Sequence, residues 1–183
     1  QKTAYEIRLS LVGSEMCIRD SGKICMAHDP FVGGPPFEAL LEEYRHALLI
    51  LNVKSDGMEG RLLELMARHR IARFFFLDCA NPTLVQLARR GVRQAAVRYS
   101  EFEPIEACLA FAGRVEWVWI DCFTHLPLSR DIYARLKAAG FSLCLVSPEL
   151  QRHPIEEIER YREQLADMPL DAVCTDHLTR WQD

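Results

Sequence analysis

Two stretches of this 183-residue chain end an apolar run in residues equipped for acid–base, metal or phosphate chemistry: Ala27-His28-Asp29-Pro30 and Leu51-Asn52-Val53-Lys54-Ser55-Asp56-Gly57. An imidazole titrates near neutrality and can give or take a proton at a phosphate ester oxygen. His28, with Asp29 beside it to orient the ring, is placed for that role; its plainer reading is a surface-loop histidine. Lys54 offers a point charge to a phosphate oxygen, or an amine for a Schiff base with a sugar phosphate, or is simply a solvated loop lysine. Asn52 is a neutral amide where a hard cation would prefer a carboxylate, so it weakens a metal site or binds substrate instead. Asp56 can supply a compensating carboxylate, yet Asp-Gly is equally a turn signal. Further along, Arg98 can fork onto a phosphate or pair with Glu101 or Glu103. Asp121, Glu149 and Asp176 also follow apolar runs.

The elements that must position these groups alternate along the chain. Short apolar runs begin near residues 23, 47, 71, 94, 115, 141 and 172, with a helical pattern after each. Lys23–Ala27 is expected to be the first strand, and Ala47–Val53 to be covered on both faces. Ile71–Leu77, Gln94–Val97, Val115–Ile120, Phe141–Val146 and Ala172–Cys174 are the others. Pro82 opens and Gly91 closes one helix, following the usual asymmetry of helix ends. Helices are also expected over 37–46, 58–70, 104–112, 129–139 and 154–166, with a helical tail over 178–181. Trp117 and Trp119 alternate on one strand and belong to the core. The charged run 156–163 reads as an exposed helix face, with pairs such as Glu156 and Arg160.

Seven strand-then-helix units at this pitch predict an α/β fold, a TIM (β/α)8 barrel lacking its first strand. In such a barrel, sites are built at the C-terminal strand ends. The competitor is a doubly wound open sheet, which ordinarily shows a Gly-rich first turn or a long crossover where strand order reverses; neither is present.

Residues 1–21 are set aside from this domain. Gln1–Ile7 and Leu11–Ser21 read as the two fixed parts of a translated sequencing-library adapter in one frame, with a short index between them. Glu6, Glu15 and Asp20, and the lack of a sustained apolar core, do not suit a secretory leader. The expected domain is 22–183, enough for one substantial core. Its 19 basic and 23 acidic residues keep the formal charge at −4. Arg68, Arg70, Arg73, Arg89, Arg90 and Arg93 are dispersed in sequence, which argues against a dedicated nucleic-acid surface. No apolar run approaches the ~20 residues that cross a bilayer. Cys25, Cys79, Cys108, Cys122, Cys144 and Cys174 include no C-x-x-C pair, pointing to a reduced, cytoplasmic protein. His46, His69, His125, His153 and His177 lack ligand spacing.

Three features together resemble the glycerophosphodiester phosphodiesterases. Gly22-Lys23-Ile24-Cys25-Met26-Ala27-His28-Asp29-Pro30 is similar to that family's second strand, which ends in His-Asp. Leu49-Ile50-Leu51-Asn52-Val53-Lys54 is similar to its third, with Asn52 where an acid is expected. Thr175-Asp176 matches the end of its last strand. The resemblance implies metal-dependent hydrolysis, with Mg2+ or Ca2+, of a small-molecule phosphodiester into an alcohol and glycerol phosphate. It makes His28 the second of the family's two acid–base histidines; from their strand-end positions and chemistry, Lys54 is read as catalytic with it, and Asn52, Arg98 and Glu149 as substrate-binding. The family's first histidine, its Arg and its two metal carboxylates would precede Gly22, so the metal ligands are not identified and this chain is expected to be inactive. It is also expected to be poorly stable, with two open sheet edges, unless residues such as Ile7–Val12 occupy the gap. The alternatives are a non-catalytic barrel that binds a phosphorylated ligand and a Schiff-base lyase using Lys54.

Overall fold

The computed structural model describes residues 13–20, 23–29 and 32–182. Eight strands and seven helices alternate through most of this length. The strands are β1 Gly13–Asp20, β2 Ile24–Met26, β3 Leu48–Val53, β4 Phe74–Leu77, β5 Ala96–Tyr99, β6 Trp117–Ile120, β7 Ser142–Val146 and β8 Ala172–Cys174. The helices are α1 Phe37–Glu43, α2 Glu59–Arg68, α3 Asn81–Arg89, α4 Ile105–Leu109, α5 Arg130–Ala138, α6 Glu157–Gln164 and α7 Leu178–Trp181.

Strands β3 and β4 pair in parallel, as do β5, β6, β7 and β8 in sequence order. The two groups join where Phe76 donates its N–H to the carbonyl of Gln94 at 3.0 Å. From β3 to β8 strand order therefore never reverses, which removes the doubly wound competitor and leaves a TIM-barrel-like arrangement. β1 pairs in parallel with β3 and runs close to β8, so the gap expected beside β3 is filled by Gly13–Asp20. Ile7–Val12 lies outside the described residues.

One expectation is overturned. The stretch 23–27 is not a parallel barrel strand: β2 covers three residues and runs antiparallel to β1, as the return arm of a hairpin. Its apolar residues are matched equally by either direction, and only pairing with β1 decides between them. Arg98 is also repositioned, since β5 runs on to Tyr99 and carries it within the strand. β4 starts three residues later than expected, because α2 ends in a left-handed turn at Arg70 (φ 57°) and Ile71 donates its N–H back to Met66.

Alternation along the strands builds two apolar layers. Leu49, Leu51, Phe74, Phe76, Val118, Ile120, Leu143 and Leu145 face the helices, where they meet Leu62, Met66, Leu87 and Leu136. Leu48, Ile50, Phe75, Leu77, Ala96, Trp117, Trp119, Cys144, Val146, Ala172 and Cys174 fill the interior. Phe75 stacks on Trp117 at 4.8 Å and meets Trp119 edge-on at 6.4 Å, filling the middle of the interior with aromatic surface. The inward alternation then continues toward the C-terminal strand ends as Asn52 on β3, Lys54 just after it, Arg98 on β5 and Asp121 after β6. The packing that buries the interior thus sets the positions of the polar groups above it.

Candidate functional site

At the C-terminal strand ends, a chain of alternating charge crosses the mouth. Lys54 Nζ donates to Asp78 Oδ2 at 2.7 Å. The Arg98 guanidinium donates one arm to Asp78 Oδ1 and the other to Asp121 Oδ2, and Glu103 lies 3.7 Å from its Nε. Asp121 Oδ1 accepts from Trp119 Nε1 at 3.2 Å and from Gln151 Nε2 at 3.0 Å. Burial opposes the Arg98 charge, but Asp121 and Asp78 outweigh it and hold the guanidinium above its ordinary pKa. The Asp121 side chain is 1% exposed; burial raises its carboxyl above the usual range, against the pull of Arg98 and the Trp119 N–H. Asn52 is buried below this chain on the same face of β3.

A second cluster sits beside β7 and β8. Ser147 and Thr175 donate their hydroxyls to the two oxygens of Glu149, Thr175 at 2.5 Å, and the Asp176 N–H adds a contact at 3.2 Å. Trp181 Nε1 donates to Ser147 Oγ at 2.8 Å, tying α7 to the end of β7. Glu149 thus organises a strand end and a helix as well as lying near the mouth.

His28 lies at the start of a loop with its side chain 78% exposed, and its Nδ1 is 2.9 Å from Asp29 Oδ1. Its carbonyl accepts from Arg19 Nε and Nη2 at 3.1 and 2.9 Å, and the Lys54 carbonyl accepts from Arg19 Nη1 at 3.0 Å. The two backbones therefore adjoin, while each functional group is held by its own carboxylate. Pro30 lies outside the described residues. Among those described, Lys54, Asn52 and Arg98 come together, Glu149 belongs to the neighbouring cluster, and the His28 ring stands at the surface.

Asp78 is the site residue missing from the sequence-based expectations. It follows the β4 run directly, as Asp121 follows β6, so the same strand-end signal applied to it. Its left-handed backbone (φ 61°) sets the carboxylate between two cations. An exposed aromatic pair was equally unexpected: Phe102 (72% exposed) and Phe123 (40%) meet at 6.0 Å on the loops after β5 and β6. Burial pushes the Cys79, Cys108 and Cys122 thiols up to about 12, which makes these three poor nucleophiles.

No group of three or more His, Cys, Asp or Glu side chains able to hold a metal ion is present among the described residues. The oxygens of Asp78, Asp121 and Glu149 are already bonded by donors on this chain, so as arranged they do not form a cation site. No helix among the described residues is long and apolar enough to cross a membrane.

Fold and site together define a TIM-barrel-like α/β protein with a charged chain across the C-terminal strand ends, where such folds place their chemistry. Two solved structures from Agrobacterium tumefaciens share this fold. One, provisionally described as a glycerophosphoryl diester phosphodiesterase, has a TM-score of 0.68 at 14% identity over 95% of this chain and 87% of its own. The other, a glycerophosphodiester phosphodiesterase, has a TM-score of 0.61 at 13% identity over 87% of this chain and 82% of its own. No family model matches the sequence and no curated protein does. At these identities the likeness is one of fold.

Proposed function

We propose that the mouth binds a phosphodiester of the glycerophosphodiester class, and that the parent of this domain is a hydrolase releasing an alcohol and glycerol phosphate. The observation that carries this reading is the bracket of Lys54 and Arg98 around Asp78. Two cations share one carboxylate at a C-terminal strand end, and a phosphate oxygen can take the place of that carboxylate with the same donors. The two solved phosphodiesterases of the same fold support the substrate class. His28 enters as acid or base, Asn52 and Glu149 as substrate contacts, and Mg2+ or Ca2+ as cofactor of the parent. Residues 1–21 are foreign to the domain in this proposal, and the chain of 183 residues binds without turnover. A lyase reaction through Lys54 fits less well, because imine formation needs a free amine and Asp78 holds this one as an ion pair at 2.7 Å.

Titration calorimetry with glycerol phosphate and with a glycerophosphodiester tests this. Lys54→Ala and Arg98→Ala are expected to weaken binding about tenfold or more, and Asp78→Asn to strengthen it by removing the competing carboxylate. Binding that ignores all three changes rules out this mouth. Turnover by the 183-residue chain that vanishes in His28→Ala contradicts its expected inactivity.

A further inference from the structure

Six arginines dispersed in the sequence are gathered by the fold at the opposite end of the strands from the mouth. Arg70 and Arg73 lie in the loop entering β4, Arg89 and Arg90 at the end of α3, Arg93 in the loop entering β5, and Arg114 in the loop entering β6. These strands are neighbours: β4 meets β5 at Phe76 and Gln94, and Glu116 donates its N–H to the Arg93 carbonyl at 2.9 Å across to β6. Strand spacing of about 4.8 Å therefore sets three basic loops side by side. All six residues are exposed. None makes a side-chain ion pair or hydrogen bond among the described residues. Glu116 is the single acid in the three loops.

Cations at helix C-termini complement the helix dipole, which accounts for Arg89 and Arg90 but not for Arg73, Arg93 or Arg114 at strand starts. Near β7 and β8, by contrast, charge is neutralised locally: Lys137 pairs with Asp171 at 2.9 Å and Arg130 with Asp167 at 2.5 Å. Among the described residues this sector thus gathers six arginines without an ion pair, against the scattered Lys23, Arg45 and Arg152 elsewhere, in a protein whose net charge is −4.

We propose that this face attaches the protein peripherally to an anionic lipid surface, with guanidiniums on headgroup phosphates and carboxylates. The composition of the face selects that partner over a protein or a nucleic acid. Its loops expose no large apolar side chain, and Ile71, Val92 and Phe111 are half-buried against the core, so it lacks the exposed aromatic or aliphatic anchors of a protein interface. It also lacks aromatic platforms for bases. Basic side chains alone hold a planar anionic surface. The mouth then faces away from the lipid, toward solutes.

Co-sedimentation of the full chain with vesicles tests this, using phosphatidylcholine alone or with about one-third phosphatidylserine. Binding is expected to the anionic vesicles only and to disappear at about 0.5 M salt. The triple variant Arg73→Gln/Arg93→Gln/Arg114→Gln is expected to lose at least about tenfold in partitioning with an unchanged circular dichroism spectrum. The matching Arg→Lys triple is expected to retain binding. Arg70→Gln/Arg90→Gln serves as a second, smaller removal of charge if the triple Gln variant does not fold. Failure to bind, equal binding to neutral vesicles, wild-type partitioning of both Gln variants, or stronger retention on polyglutamate or duplex DNA overturns the proposal.

Discussion

Glu101 shows how a single side chain ties a loop to the rim. Its Oε1 accepts from the Thr124 N–H at 2.5 Å, the Thr124 hydroxyl at 2.8 Å and the His125 N–H at 3.4 Å. Burial alone would raise its pKa, but its own backbone N–H and those donors outweigh it and lower the carboxyl from 4.5 to about 2. A depressed folded pKa means that the unfolded chain takes up the proton first. The stabilisation is therefore complete above about 4.5 and is lost as pH falls from there toward about 2. Glu101→Gln is expected to flatten that acid limb by about 1–2 kcal/mol, discounted for partial exposure. Urea titrations at neutral pH and near pH 3 check this, and an acid limb identical in the variant contradicts it. Sequence placed Glu101 after a strand but could not reveal Thr124, which is distant in the chain and brought close by the neighbouring loop.

Elements in the central strands are held by one aromatic stack. Phe75 is fully buried between the ladders and lies against Trp117 and Trp119. Phe75→Ala is expected to cost about 3–5 kcal/mol, since the rings around it leave a cavity that short strands on either side cannot close. Denaturant midpoints measure that loss, and a cost under about 1 kcal/mol shows that the interior collapses around the change. β2 shows the limit of periodicity: a three-residue apolar run has no handedness of its own, and the hairpin with β1 turned it antiparallel. At its edge, a Cβ on Gly34 would stand 1.9 Å from the Met26 carbonyl oxygen, so that position admits no side chain without moving the backbone.

Across the whole molecule, the two four-stranded groups share both apolar layers rather than owning one each. The interior cluster draws on β3 and β4 from one group and on β5 to β8 from the other, and the outer cluster draws on β3 and β4 and on β5 to β7. Neither group keeps a complete core when the other is removed, so unfolding is expected as one cooperative transition. Tryptophan fluorescence, dominated by Trp117 and Trp119 in one group, and far-ultraviolet circular dichroism, which reads both, are expected to give the same midpoint. Separate midpoints indicate that the groups unfold independently.

Apolar runs punctuated by Gly, Pro and charge determined from sequence alone the alternation of strands and helices, the burial of Trp117 and Trp119, and the presence of Lys54 and Arg98 at one end of the strands. Those are local properties, set by side-chain period and by the residues that break it. Tertiary structure alone decided the direction of β2, the place of Asp78 between two cations, the exposure of the His28 ring and the gathering of six arginines on the opposite face. Each of these depends on which strand lies next to which, and strand pairing brings together residues that no local pattern connects.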